Sequence, residues 1–115
     1  MPPTLADRLI HILTAIETVQ SAVAGKSFDE FTNDLIVRLA VERSLEIICE
    51  ASRRLPDNVK NQHPEIDWPG MVNFGNRARH EYHRINPNIV WDIIKEDLPP
   101  LKEFAERAMR EEDET

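Results

Sequence analysis

The apolar residues near the start of the chain recur at helical spacing. The intervals alternate between four and three residues, at Leu5, Leu9, Ile12, Ile16, Val19 and Val23. This spacing places one apolar stripe along an α-helix. Gly25 follows the stripe and suits the position just after a helix end, where glycine is common. The pattern predicts a first helix that ends near Val23.

A second apolar pattern predicts one long helix. Ser27 and Glu30 have the spacing of a capping box, in which each side chain bonds the backbone N–H of the other residue. The apolar positions that follow are Phe31, Leu35, Leu39, Ile47, Ile48, Ala51 and Leu55. Pro56 ends the pattern, because proline disfavours helical conformation in the residue before it. We expect a helix of roughly 27 residues, about 40 Å long.

Residues 56–67 are interpreted as a connection, with room for one helical turn. Asp67 is a good N-cap, so a third helix is expected to start near Trp68 and to carry residues 76–84 at its far end. Asn86 and Pro87 have the order of an N-cap and a first helical residue, and they predict a fourth helix. Its apolar side holds Ile89, Ile93 and Ile94.

Pro99 and Pro100 interrupt the pattern of the fourth helix. Each lacks a backbone N–H, so we expect a break or a kink there. Asp97 would then cap a continuation. The apolar residues of that continuation are Leu101, Phe104, Ala105 and Ala108. The sequence thus predicts an all-α fold, an antiparallel bundle of four to five helices.

Composition supports one globular domain. The chain has 115 residues, 41% of them hydrophobic and 30% charged, which is ordinary for a folded protein. We expect the domain to span residues 1–110 and residues 111–115 to form a solvated acidic tail. The single cysteine, Cys49, excludes an internal disulfide and a cysteine metal cluster. No signal pattern and no apolar run of membrane-spanning length is present, so we expect a cytoplasmic protein.

A basic segment stands out because the net charge is -7. Residues 76–84 hold three arginines, two histidines and a tyrosine: Arg77, Arg79, Arg84, His80, His83 and Tyr82. The net charge disfavours a broad nucleic-acid surface but leaves room for a local site. On a helix Asn76, Arg77 and His80 share a face, whereas Tyr82 lies nearly opposite. Cooperation between His80 and Tyr82 would require the helix to end near them.

These residue types suit phosphodiester cleavage without a metal. RNA carries its own nucleophile, the 2′-hydroxyl group, and a histidine can act as base or acid near neutral pH. Arginine holds phosphate oxygens and stabilises developing charge. Tyrosine can bond a phosphate or stack on a base. A solvated arginine-rich helix end and a nucleotide-binding site are the alternatives that spacing alone leaves open.

The chain resembles HepT-like proteins of the HEPN superfamily. The resemblance rests on Trp68, Asn76, His80-x-Tyr82, Trp91 and Leu98-Pro99, in that order, and on the segment 43–51 as the family's second helix. It implies a dimeric helical bundle that acts as a cofactor-free endoribonuclease toxin. It further implies a minimal nucleotidyltransferase antitoxin as partner, which can adenylylate Tyr82.

The resemblance also assigns site residues. Asn76, His80 and Tyr82 match the family pattern and are implied to be catalytic. Arg77 is added to them because it shares a helix face with Asn76 and His80, and the basic residues Arg79, His83 and Arg84 are expected to contact the substrate. Glu50 matches a family glutamate and is expected to orient an arginine of the motif. The family pattern is Arg-x4-His-x-Tyr, but Gly75 occupies its arginine position. Arg77 or Arg79 would have to substitute, or the chain binds without cleaving.

Other candidate residues have simpler interpretations. Glu42, Glu46 and Glu50 recur at every fourth position, as a polar stripe or as a set that orients an arginine or binds a metal. His80 and His83 have helical metal spacing but no clear third ligand, so we expect no metal. His11 and His63 are interpreted as surface residues. Trp68 and Trp91 are interpreted as core or interface anchors.

Overall fold

The protein is a helical bundle, as predicted, in the part of the chain that the computed structural model describes: residues 2–71, 73–74 and 86–113. The first four helices are α1 (Leu5–Val23), α2 (Phe28–Thr32), α3 (Leu35–Arg53) and α4 (Asp57–Asn61). Residues 68–71 and 73–74 are also helical. The remaining elements are α5 (Pro87–Asp92), a π-helical turn (Ile93–Asp97) and α6 (Leu98–Asp113). None of the described helices has the length and apolarity needed to cross a membrane.

Helix α1 confirms the first prediction. Thr4 and Asp7 form a capping box at its start. Five of the six predicted stripe residues are buried, and Leu5 packs partly buried against them. After the helix, Gly25 adopts a φ of 72°, a left-handed conformation that glycine reaches without strain.

The prediction of one long second helix is wrong. The capping box of Ser27 and Glu30 is present, but α2 ends at Thr32 and α3 begins at Leu35. Between them the Asn33 amide donates to the carbonyl of Asp29 at 2.9 Å. The Asp34 carboxylate accepts from the backbone N–H of Val37 at 3.1 Å. Short polar side chains compete with the helical hydrogen-bond ladder in this way, which ends one helix and starts the next.

The break also changes which residues of α3 face the core. Leu35 and Leu39, which belong to the predicted apolar pattern, are 61% and 49% exposed, and Ile36 is 81% exposed. The buried residues of α3 are Val41, Glu42, Ser44, Leu45, Ile48, Cys49, Ala51 and Ser52, of which Ile48 and Ala51 belong to the predicted pattern. The phase counted from Phe31 therefore fails at Leu35 and Leu39 and holds again at Ile48 and Ala51.

Helix α1 packs between α3 and α6. Its start lies beside the end of α3, since Arg8 and Ala51 line one surface cleft. Its later residue Thr18 lies instead with Ser44, which comes earlier in α3. The two helices therefore run antiparallel, as predicted. Towards the other end of α1, Gln20 accepts a hydrogen bond from Lys102 near the start of α6.

The double proline does not break the last helix. The path is helical from Pro87 to Asp113, and the predicted interruption is replaced by the π-helical turn. In that turn the N–H of Leu98 donates to the carbonyl of Ile93, five residues back. A proline ring crowds the carbonyl four residues before it, and a widened turn gives that carbonyl more room. Asp97 lies inside this turn and does not cap a new helix, contrary to expectation.

The C-terminal acidic residues continue α6 as far as Asp113. Glu111, Glu112 and Asp113 are exposed, as expected for a solvated end, but they are helical. The predicted boundary at residue 110 therefore falls within a helix, and the extent of the domain stays a prediction.

Candidate functional site

The basic segment lies outside the residues that the structure describes. This applies to Gly75 and to all the predicted motif residues: Asn76, Arg77, Arg79, His80, Tyr82, His83 and Arg84. Their roles stay predictions. The described residues on either side show how the chain is held as it enters and leaves the segment.

Trp68 fixes the chain before the segment. Asp67 caps the helical residues 68–71 as predicted, and its carboxylate accepts from the N–H of Gly70 at 3.1 Å. The indole N–H of Trp68 donates to the carbonyls of Lys60, at 3.2 Å, and His63, at 3.1 Å. Its ring meets Phe104 of α6 edge-on, with centroids 5.3 Å apart. The indole is therefore tied to α4 and α6 at once.

Trp91 fixes the chain after the segment. Asn86 caps α5 as predicted, because its side chain accepts from the N–H of Asn88 at 2.9 Å. Trp91 then packs on two rings of α2, with centroid distances of 5.8 Å to Phe28 and 5.3 Å to Phe31. The prediction that both tryptophans are packing anchors is confirmed.

Glu50 has two arginine partners on its own helix. Its carboxylate accepts from Nε of Arg54 at 2.8 Å and also bonds the guanidinium of Arg53. The hydrogen bonds from Arg54 and then Arg53 lower the pKa of Glu50. Glu50 thus forms local ion pairs with Arg53 and Arg54 on α3. The role of Glu50 towards an arginine of the motif stays a prediction.

The other two glutamates of the stripe differ from Glu50 and from each other. Glu46 lies 3.7 Å from Arg43 in an exposed pair. Glu42 is only 8% exposed, and burial raises its pKa; Arg38 acts in the opposite direction. The three carboxylates therefore do not form one solvated stripe. No group of three possible metal ligands occurs among the described residues.

A cleft between α1 and α3 was not foreseen. It has a volume of about 300 Å³ and is lined by Arg8, His11, Arg43, Glu46, Ile47, Glu50 and Ala51. The sequence held a signal for it, because Arg8 and His11 are three residues apart and so share one face of α1. The antiparallel packing of α3 was needed to bring Arg43 to the same place.

His63 is wrongly interpreted as a surface residue. Its ring packs edge-on against Phe104, with centroids 4.7 Å apart. Its Nδ1 lies 3.2 Å from a carboxylate oxygen of Glu65. Only 15% of the side chain is exposed, so His63 belongs to the cluster around Trp68. His11 is exposed as predicted, but it lines the cleft.

Comparison with known proteins decides the family. The sequence model described as "Ribonuclease HepT-like" matches residues 12–108, which is most of the chain and includes the basic segment. The chain belongs to the HepT-like ribonuclease family. The resemblance identified from the sequence is therefore confirmed at the level of the family.

Several curated proteins share this HepT-like sequence. A protein of Thermococcus cleftensis named "Probable ribonuclease HepT" is 38% identical over 96 residues, which cover 84% of this chain and 87% of that protein. A Caldanaerobacter subterraneus protein, named as a candidate RNase, is 33% identical over 90% of this chain and 93% of its own length. A Methanocaldococcus jannaschii protein, also named as a candidate RNase, is 36% identical over 85% and 82%. No solved structure matches the chain significantly.

Proposed function

We propose that this protein is an endoribonuclease that cleaves RNA without a metal ion. The observation that carries the proposal is the family match over residues 12–108, which spans Asn76, His80 and Tyr82. The names of the curated relatives support the same activity. The hydrogen bonds of Trp68 and the ring contacts of Trp91 anchor the chain on both sides of the segment.

In the proposed reaction the RNA supplies the nucleophile. The 2′-oxygen attacks the neighbouring phosphorus as a base takes its proton, a 2′-oxygen–phosphorus bond forms, and the bond to the 5′-oxygen breaks. That leaving oxygen takes a proton from an acid, which gives a 2′,3′-cyclic phosphate and a 5′-hydroxyl end. His80 serves as base or acid, and Arg77, aided by Arg79, stabilises the phosphate. Asn76 positions the phosphate, and Tyr82 contacts it.

The proposed biological setting is a toxin–antitoxin pair. The partner is a minimal nucleotidyltransferase that transfers an adenylyl group to Tyr82. This would add bulk and negative charge where an RNA phosphate must bind, so activity would fall. His83 and Arg84 are proposed as further substrate contacts.

We also propose that the protein acts as a homodimer. Leu35, Ile36 and Leu39, here called the α3 apolar patch, are large, exposed and within two helical turns of each other. A patch of this kind often marks a protein–protein interface.

Cleavage of RNA by purified protein in EDTA tests the proposed activity. The parent is expected to cleave and His80→Ala to lose cleavage, while Lys95→Ala, which removes an exposed cation elsewhere, should match the parent. Mass spectrometry must show unmodified Tyr82, and circular dichroism must show that each variant is folded. Equal cleavage by the parent and His80→Ala, or none by a folded and unmodified parent, would refute the proposal.

Gly75 favours a second candidate function. It occupies the arginine position of the family pattern, so the chain could be a silent dimer that binds a nucleotidyltransferase partner or a nucleotide. If so, Gly75→Arg should create toxicity that the parent lacks. Calorimetry with ATP and with AMP tests nucleotide binding directly. An absence of heat would refute the hypothesis that the chain binds a nucleotide.

A further inference from the structure

The cleft between α1 and α3 continues along the two helices as a longer groove. A second hollow of about 340 Å³ adjoins the first and shares His11 and Ile47 with it. The two hollows extend along α1 from Arg8 to Thr18. At the rise of an α-helix, the distance from Arg8 to Thr18 is about 15 Å. The groove is therefore long enough for an extended polymer chain and not only for a single ion. We call the combined surface the α1–α3 groove.

The arginine end of the groove carries excess positive charge. Its two carboxylates already have arginine partners, Glu46 with Arg43 and Glu50 with Arg53 and Arg54. Arg8 also lines this end and has no carboxylate within 4.0 Å among the described residues. The lining holds Arg8 and Arg43 against Glu46 and Glu50. With Arg53 and Arg54 beside Glu50, and with Asp7, which interacts with Arg8, the described charges here are four arginines against three carboxylates, in a chain whose net charge is -7. A local excess of this sign attracts phosphate groups.

The other end of the groove is neutral and carries hydroxyl groups. Thr14, Thr18 and Ser44 line it together with Ala15 and Ile47. Hydroxyl groups can bond ribose or phosphate oxygens, and the flat apolar surface between them can accept a base or a sugar face. Among the residues that the structure describes, no acidic side chain lines this end. The groove therefore has arginines that can bind phosphate at one end and a neutral, hydroxyl-lined surface at the other. Binding of single-stranded RNA uses both kinds of surface.

We propose that the α1–α3 groove binds the phosphodiester backbone of the RNA beyond the cleaved bond. Arg8 and Arg43 contact its phosphates, and the hydroxyl-lined end receives the adjoining nucleotides. The inference rests on the proposed ribonuclease function for the identity of its ligand. Guanidinium groups suit this task because they hold two phosphate oxygens in one plane. His11 lies where the two hollows join.

Binding of an RNA that cannot be cleaved tests the groove separately from catalysis. The probe is a fluorescent single-stranded RNA with a 2′-O-methyl group on every ribose, so that no 2′-hydroxyl is present to attack. Arg8→Ala and Arg43→Ala are each expected to weaken binding about ten-fold. Each should also lower the dependence of log K on log salt by about 0.7, the value for one phosphate contact of a single strand.

Lys95→Ala provides the matched control. It removes one exposed cation from the π-helical turn, which packs near Gly25 at the opposite end of α1. Its affinity for the probe and its salt dependence should equal those of the parent. If Arg8→Ala and Arg43→Ala also leave both quantities unchanged, the proposal is overturned.

Three outcomes separate this proposal from its alternatives. If the parent cleaves RNA but the arginine variants keep its KM and probe affinity, the groove proposal fails while the ribonuclease function stands. If the parent cleaves nothing but loses probe affinity on Arg8→Ala, the groove binds RNA and the ribonuclease proposal fails. If Arg8→Glu turns a dimer into a monomer with unchanged probe affinity, the groove is an interface between copies and the proposal is wrong.

Discussion

The indole N–H of Trp68 donates to the backbone carbonyl of His63 at 3.1 Å, and both rings pack edge-on against Phe104. One residue thus joins the connection after α4 to the last helix, directly before the chain enters the basic segment. The contact explains why a tryptophan, rather than another large apolar residue, suits this position. Among large apolar side chains, only the indole offers both a ring surface and an N–H donor.

Trp68→Phe is therefore expected to destabilise the protein. It keeps a ring against Phe104 but leaves the carbonyls of Lys60 and His63 without the indole donor, at a cost of about 1–2 kcal/mol. Urea unfolding followed by circular dichroism measures the change. Trp91→Phe is the matched control, because the described residues provide no acceptor for its indole N–H. Equal losses from both variants would show that the hydrogen bonds of Trp68 contribute nothing.

Asp34→Ala should destabilise the protein by about 1 kcal/mol, because it removes the N-cap of α3. Asp34→Asn preserves a capping oxygen and should stay close to the parent. The comparison also controls for the long contact between Asp34 and Lys26, at 4.0 Å, which both substitutions remove. Thermal unfolding of the parent, Asp34→Ala and Asp34→Asn measures these differences in stability. A loss for Asp34→Asn as large as that for Asp34→Ala would assign the effect to charge instead of capping.

Ile36→Glu is expected to weaken the proposed dimer without harming the fold. Ile36 is 81% exposed in the single chain, so a charged side chain there costs little stability, yet in an interface it would be desolvated. Sedimentation at micromolar concentration should show a shift towards monomer. Ile10→Glu changes an exposed isoleucine of α1, outside the α3 apolar patch, and should leave the mass unchanged. An unaltered dimer of Ile36→Glu would place the interface elsewhere.

Glu42→Gln should stabilise the protein at neutral pH. Burial raises the pKa of Glu42 above its ordinary value near 4.5, so the folded state favours the protonated acid. The stability contributed by that raised pKa is fully present below about pH 4.5 and is lost as pH rises through the folded-state pKa. Glutamine mimics the neutral form at every pH.

Unfolding measured at pH 4 and at pH 7 tests this expectation. The advantage of Glu42→Gln over the parent should be small at the lower pH and larger at the higher one. Glu103→Gln, which makes the same substitution at an exposed glutamate of α6, serves as control. An advantage of equal size at both values would mean that ionisation of Glu42 is not its cause.

Local patterns predicted three helix starts. Asp67, Asn86 and the pair Ser27 and Glu30 all cap helices in the structure, because a cap depends on residues only two or three positions apart. The stripe of α1 was also predicted, since no polar interruption falls within it. The family could be recognised from the order of its motif residues, and the comparisons confirm it.

Features that depend on packing between distant residues were missed. Nothing adjacent to His63 shows that Phe104 will cover its ring, and nothing near Arg8 shows that α3 will bring Arg43 to it. The break at Asn33 and Asp34 was missed for a different reason. Both residues occur inside helices often enough that only their hydrogen bonds, to Asp29 and Val37, reveal the end of α2 and the start of α3.

The π-helical turn has a consequence for the history of the sequence. A turn closed by a bond across five residues holds one residue more than an α-helical turn, which is what a single inserted codon would produce in an existing helix. A related chain with one residue fewer here would run through the same path as ordinary α-helix. Alignments of related sequences are therefore expected to open a gap of one residue between Ile93 and Asp97, in those relatives that lack the double proline.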